Sequence, residues 1–370
     1  MLHQPKIKNR LQIFKNHCQQ LLKEDLVLAL IIFLPILIIA IFLGYENNQI
    51  VPLTSQIGNL YHSKNYLKFL ANWDGAIYLQ IAKFGYSHFY LVNFFPLYPL
   101  IIKLIHQLIP SYLNSGLLVS WTSYIGALYF YLKIVKNYFK LTTQSDIVKA
   151  TLLWALFPSA IFMLGTFTEA LFAFLALGAF YFSLKNQYIK ATIMILLATA
   201  TRINGIFLIP LSALILIKNK LNIKKIIFSI TFSTFGVLSY MLYLKINYHN
   251  GLAFLITQRN HGWLQNSFFN GLSNTSIFNL FFLAIVIISI IYWYQKDKIL
   301  ALYSCLFLMI PIIGGKFGGF PRYTLMDFAI PLMIWSISQK KAWVYNLTII
   351  IFSMLWTYLL MQYAGGYIGG

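Results

Sequence analysis

Leu26 to Leu43 (LVLALIIFLPILIIAIFL) runs for 18 residues without a charged side chain, and this stretch constrains the fold more than any other feature of the chain. A helix of that length is about 27 Å long, enough to cross the hydrocarbon core of a bilayer. It is not a secretory signal, because no small-residue cleavage site follows it and a long basic segment precedes it. Comparable apolar runs recur along the chain, so one membrane anchor does not describe it. Of the 370 residues 59% are hydrophobic and only 10% charged, where a soluble domain carries about a quarter charged residues. We expect an all-α polytopic membrane protein, a single integral membrane domain over 1–370.

The candidate spans are 26–43, 113–132, 147–165, 168–184, 191–202, 203–217, 226–245, 277–294, 299–314, 324–339 and 342–361. The formal net charge of +20 does not signal nucleic-acid binding. Its lysines lie in short clusters between apolar runs: Lys133, Lys136, Lys140 and Lys149; Lys185 and Lys190; Lys218 to Lys225; Lys296 and Lys298; Lys340 and Lys341. That is the positive-inside pattern, with added attraction to anionic membrane lipids. If these clusters and the basic segment 1–25 face the cytoplasm, most of the 28 basic residues lie inside. Cys18 falls in the basic segment and Cys305 in an apolar run, so no disulfide between them is expected.

One segment decides the parity. Phe94 to Ile109 (FFPLYPLIIKLIHQLI) is apolar enough to be counted as a span, which would put most lysine clusters outside. It holds two prolines, and Lys103 and His106 share a helical face, so it reads as an interfacial or re-entrant helix. The expectation is therefore about eleven spans, with the N-terminus inside and the C-terminus outside. The loop 45–112 lies outside the cell with interfacial helices in it, and 113–370 forms the remaining transmembrane helices. The run 191–217 is either two short helices turning at Arg202 or one long tilted helix.

This topology sorts the eight acidic residues. Glu24, Asp25, Asp146 and Asp297 fall inside among lysines. Glu46, Asp74, Glu169 and Asp327 fall at the outer face, as do Arg202, Arg259, Lys316 and Arg322. Transporters place such groups near the midplane, whereas an enzyme at the membrane surface would gather them at one face.

Five stretches can carry chemistry. Trp73-Asp74-Gly75 precedes an expected surface helix from Ala76 to Phe84; Asp74 either caps that helix or acts as general base on a hydroxyl. Glu169, at the end of Thr166-Phe167-Thr168-Glu169, either meets a helix dipole or serves catalysis. Thr201-Arg202-Ile203-Asn204-Gly205 is a charged turn in an apolar run, and its arginine needs a carboxylate such as Glu169 or a bound phosphate. Gly314 to Tyr323 (GGKFGGFPRY) brings Lys316 and Arg322; lacking a Ser or Thr after the lysine and a preceding strand, it is no nucleotide P-loop. Gln258 to Trp263 (QRNHGW) has no metal-ligand spacing.

The order of these motifs resembles the PIG-V-like family, related to the second mannosyltransferase of glycosylphosphatidylinositol assembly, within the type C membrane glycosyltransferases. The resemblance runs from about residue 70 to 335. It is carried by Trp73-Asp74 with IAKFGY, by FFPLYPL, by FPSAIFMLGTFTEALFAFLALGAFY, by the Arg202 turn, by Gln258 to Trp263 and by Arg322-Tyr323. Gly75 stands where the family usually has alanine, and Phe167 replaces the tyrosine of its Tyr-Thr-Glu. The long lumenal loops of eukaryotic members are short or absent.

What the resemblance implies is a catalytic aspartate in the first outer loop, matched by Asp74, and a polyprenyl-phosphate sugar donor, probable mannose, with a lipid or glycan acceptor. The expected reaction is an inverting transfer. Asp74 takes the acceptor proton, and Glu169 orients a substrate or shares the base role. Arg202, Arg322 and Lys316 stabilise the leaving phosphate, with Trp73, Asn204, Gln258 and Tyr323 as further substrate contacts. No metal is required with such cations in place, although four outer acids leave room for one. The rival readings are a transporter or flippase of lipid-linked saccharides, which would place polar groups deep in the bundle, and a scaffold that has lost activity. The Lys-, Ile- and Asn-rich composition leans to a prokaryotic cytoplasmic membrane; in a eukaryotic endoplasmic reticulum membrane Asn274-Thr275-Ser276 would be a glycosylation sequon.

Overall fold

The computed structural model describes residues 4–47, 66–260, 272–273, 275–315 and 319–367, with the backbone alone at 4–24 and 310–311. Lys316, Asn274 and residues 261–263 of the QRNHGW motif lie outside the described residues. Every regular element among the described residues is helical.

The long apolar run forms the second half of α1 (Gln4–Glu46). Between it and the next long helix come a 3₁₀ turn (Lys68–Ala71), α2 (Asp74–Phe84), a second 3₁₀ turn (Phe89–Asn93) and α3 (Leu97–His106). Then α4 (Tyr112–Asn137) starts where the Ser111 side chain accepts from the Asn114 N–H, and α5 (Gln144–Ala155) where Thr143 accepts from Asp146. A 3₁₀ stretch (Pro158–Met163) leads to α6 (Glu169–Leu184) and α7 (Tyr188–Thr201). A further 3₁₀ turn (Ile203–Phe207) precedes α8 (Leu208–Lys218), α9 (Ile223–Ser233), α10 (Phe235–Tyr248) and α11 (Ala253–Asn260). Ser276 caps α12 (Ile277–Lys296) and Asp297 caps α13 (Lys298–Gly314). The short α14 (Phe320–Leu325), then α15 (Ala329–Ser338) and α16 (Ala342–Ala364), complete the described chain.

Among the described residues five stretches are long and apolar enough to cross a membrane: Asp25–Glu46, Tyr112–Asn137, Ile223–Tyr248, Ile277–Lys296 and Ala342–Ala364. With the shorter apolar helices α3, α6, α7, α8, α13 and α15 around them, the chain is an all-helical, multi-pass membrane protein. Two expected spans are interrupted: the run 147–165 ends as helix at Ala155, and the run 324–339 breaks at Asp327. The run 191–217 takes the first of its two expected forms, two short helices with Arg202 extended between them.

Such breaks expose backbone groups that hydrocarbon cannot satisfy. At the α14–α15 break the neighbours supply donors. The Ser159 hydroxyl donates to Pro321 O at 2.5 Å, Trp154 Nε1 to Leu325 O at 3.3 Å, Tyr303 to Met326 O at 2.9 Å, and Trp293 Nε1 to Ala329 O at 2.9 Å. Four side chains from three helices and a 3₁₀ stretch thus clamp the short segment that carries Arg322.

The helix α4 spans the two polar ends of the molecule. Near its start a Cβ on Gly116 would touch Thr166, Leu79 and Ile102, from the segments around α2, α3 and α6. Near its end Lys133 pairs with Asp25 at 2.6 Å and Lys136 pairs with the same carboxylate. The twenty residues between them rise about 30 Å, one hydrocarbon thickness.

The outer segment differs from the expectation in one respect. α3 is one-sided: it buries Tyr98, Pro99 and Ile102 and exposes Leu100 and Leu104. α2 has no free face, since Gly75 through Ala82 are all buried, so it packs into the protein rather than resting on it. Its inner position is what carries Asp74 to the site.

Candidate active site

Asp74 opens α2, but it is not the cap. Trp73 takes that position with φ 56° and ψ −126°, without a side-chain capping bond, and Asp74 turns its carboxylate elsewhere. The segment is held against the turn before α6, where the Thr166 N–H donates to Leu70 O at 2.8 Å. The approach is close enough that a Cβ on Gly75 would lie 2.6 Å from Thr166 Oγ1. An alanine at this position would therefore press on the Thr166 hydroxyl.

Glu169, the first residue of α6, is fully buried. Its Oε1 accepts from Arg202 Nη1 at 2.7 Å, from Arg322 Nη2 at 2.6 Å and from Arg322 Nε at 2.8 Å. Arg322 Nη1 donates to Asp74 Oδ2 at 2.9 Å. Two acids and two arginines, drawn from four separate parts of the chain, form one neutral quartet. A lone charge here would be severely penalised by desolvation, and pairing with charge-assisted hydrogen bonds offsets that cost.

Aromatic and polar neighbours fix the arginines. The Arg322 guanidinium lies 5.0 Å from the ring centroids of both Phe162 and Phe167, which pack against each other, a cation–π environment. Arg202 Nη1 also donates to Thr168 Oγ1 at 3.2 Å, and that hydroxyl lies 3.4 Å from the Tyr78 hydroxyl. Burial raises the Tyr78 phenol above its ordinary range, so it stays protonated and available for hydrogen bonding. The chain reverses after Arg202, and Gly205 makes this possible: a Cβ there would sit 2.5 Å from the backbone of Ala198 and Thr199.

The structure thus brings together Asp74, Glu169, Arg202 and Arg322. The other expected contacts divide. Trp73 Nε1, Asn204 Nδ2 and Glu169 Oε2 are buried without a hydrogen-bond partner among the described residues. Tyr323 instead lines a cavity of about 10 Å³ with Phe320, Thr324 and Asp327. Gln258 is half-buried on α11, which packs against the Phe89–Asn93 turn. Asp327, expected at an outer helix end, is buried between α14 and α15, where it accepts from the Ala329 N–H at 3.1 Å and makes no ion pair among the described residues. Among the described residues no three His, Cys, Asp or Glu side chains group as a metal site.

The sequence reading missed the residues that shape the quartet without carrying charge: Tyr78, Phe162, Phe167 and Thr168. Tyr78 had a usable signal, as it lies four residues after Asp74 and so on the same helical face. Phe162 had none, since one phenylalanine among many apolar residues does not advertise a guanidinium.

The model of the mannosyltransferase (PIG-V) family matches residues 21–258. The chain belongs to the PIG-V family. The matched region includes Asp74, Glu169, Arg202, Asn204 and Gln258, while Arg322 and Tyr323 lie beyond it. A similar protein is the human GPI alpha-1,6-mannosyltransferase 2, 30% identical over 146 residues, which is 37% of this chain. The match spans 29% of the human protein's length. Within the PIG-V family frame the quartet joins residues of the matched region to one outside it.

Proposed function

We propose that this protein transfers mannose, with inversion, from a polyprenyl-phosphate donor to a hydroxyl of a lipid or glycan acceptor on the extracytoplasmic face of its membrane. The observation that carries the reading is the quartet: an exposed-edge carboxylate, Asp74, beside two arginines at one end of the bundle. The Asp74 side chain is 32% exposed while Glu169 is fully enclosed. Asp74 is therefore the carboxylate an acceptor can reach. It takes the hydroxyl proton as the oxygen attacks the anomeric carbon, and the bond to the donor phosphate breaks with its electron pair leaving on polyprenyl phosphate.

Arg202 and Arg322 supply positive charge beside that leaving group, a preorganised electrostatic role that requires no metal ion; Lys316 is a further candidate. Glu169 anchors both arginines and so orients the charge that faces the substrates, and Trp73 and Asn204 carry unpaired polar atoms that suit sugar hydroxyls. Gln258 and Tyr323 are proposed as outer contacts. The name of the human relative supports mannose as the sugar. The reading includes about eleven passes with loop 45–112 outside, which suits the lysine clusters at the opposite end of α4. The composition favours the cytoplasmic membrane of a prokaryote. Charged groups gathered at one end rather than half-way favour an enzyme over a transporter.

The test is transfer by purified protein in detergent, with radiolabelled polyprenyl-phosphate mannose and a lipid and glycan extract as acceptor. The wild type should transfer, and Asp74→Asn should lose about 10²–10⁴ in rate with unchanged melting. Near-normal turnover in Asp74→Asn would remove it as the base.

A further inference from the structure

The two arginines are not equivalent in what they leave free. Arg322 presents Nε and Nη2 to Glu169 and Nη1 to Asp74, and the rings of Phe162 and Phe167 lie together beside it, each 5.0 Å from the guanidinium. Its carbonyl neighbours are clamped as well, because Pro321 O and Leu325 O are each taken by a side-chain donor. A guanidinium whose Nε, Nη1 and Nη2 are all engaged by carboxylates would have to abandon one of them before it could grip a phosphate. Arg202 is different. Only Nη1 is engaged, by Glu169 and Thr168, and its Nε and Nη2 make no hydrogen bond among the described residues. Its side chain is 16% exposed against 13% for Arg322, so the difference between them lies in the open N–H groups and not in access.

From this asymmetry we infer a division of labour, resting on the glycosyl-transfer reading above: Arg322 is a positioning residue that orients Asp74, and Arg202 is the one that meets the donor phosphate. Arg322 holds Asp74 through Oδ2, which leaves Oδ1 for the acceptor hydroxyl. Because the same guanidinium is locked to Glu169, the base is referenced to the start of α6 and not to its own loop. The planar fork matters here, since a lysine ammonium keeps the charge but cannot reproduce two oriented edges on two carboxylates. Donor phosphate meets the open N–H groups of Arg202, anchored from behind by Glu169 and Thr168. Positive charge over the site comes from both arginines; direct phosphate contact comes from one.

The experiment compares full-length wild type with Arg322→Lys, Arg202→Gln and Asp74→Asn in detergent, after melting curves confirm folding. It reads donor KM and kcat, and the affinity for farnesyl phosphate by calorimetry. Arg322→Lys should lose about 100-fold in kcat, as expected when a base is misplaced, with donor KM and farnesyl phosphate affinity within about threefold. Arg202→Gln should weaken farnesyl phosphate and raise donor KM by about tenfold or more. Should Arg322→Lys fail to fold, Asp74→Asn decides. Farnesyl phosphate affinity within about threefold supports the inference, whereas about tenfold tightening would mean that Arg322 turns to the phosphate once Asp74 lets go. Farnesyl phosphate binding lost in Arg322→Lys with kcat retained would overturn the inference while leaving the enzyme reading intact. A wild type that neither transfers mannose nor binds farnesyl phosphate would overturn that reading, and the division of labour with it.

Discussion

The two polar ends of this molecule solve the same problem, a buried acid, in different ways. At one end Asp25 is held by Lys133 and Lys136, two residues three apart on α4. At the other Glu169 is held by Arg202 and Arg322, which lie 33 and 153 residues further along the chain. The lysine end has one acid for two cations and uses flexible stems whose heads can reach water. The arginine end is neutral and built of planar groups, with Glu169 fully enclosed and Arg322 paired to both acids beside two rings, so neither can move without breaking the other's bonds. A surplus of positive charge suits a face that meets anionic headgroups. A balanced, immobile set suits a site that must be in place before the substrates arrive.

Removal of the acid should separate the two ends most sharply. Glu169→Gln leaves two fixed guanidinium groups without their shared carboxylate and should cost about 3–5 kcal/mol of stability. Asp25→Asn frees two lysines that can extend to water and should cost only about 1 kcal/mol. Chemical denaturation in detergent would measure both, and equal losses would break the contrast. A smaller effect belongs to the fit of α2: Gly75→Ala should destabilise by about 1–3 kcal/mol through overpacking against Thr166 and lower transfer. Thr166→Ala in the same chain should restore most of that loss, and failure to do so would clear Thr166 as the obstacle. The smallest effect is expected for Lys136→Ala with Lys133 retained, where initial rates of transfer should stay within about twofold because the pair lies a membrane thickness from the quartet. A tenfold loss in that variant would show that the two ends are coupled.

Much of the architecture was legible in the residues alone. The charge-free run at Leu26–Leu43 and the lysine clusters made a multi-pass helical protein the expected outcome, because hydrocarbon admits only backbone that bonds to itself. The sign and placement of Asp74, Glu169, Arg202 and Arg322 marked them as costly and therefore purposeful. What those four do to one another was not legible. Three had a local explanation: a helix cap for Asp74, a dipole partner for Glu169 and an ion pair for Arg202. The cap failed and the Arg202 ion pair held, and neither outcome could be read from spacing.

The sequence by itself determined that this chain lives in a membrane and that its few acids and arginines are costly there, since partition between water and hydrocarbon depends on composition along short windows. Only the tertiary structure decided that a single guanidinium joins Asp74 to Glu169 across 248 and 153 residues of chain. Such contacts depend on how helices pack, on a missing Cβ at Gly75 and on two phenylalanine rings. No local pattern encodes those distances, because they are set by shape rather than by polarity.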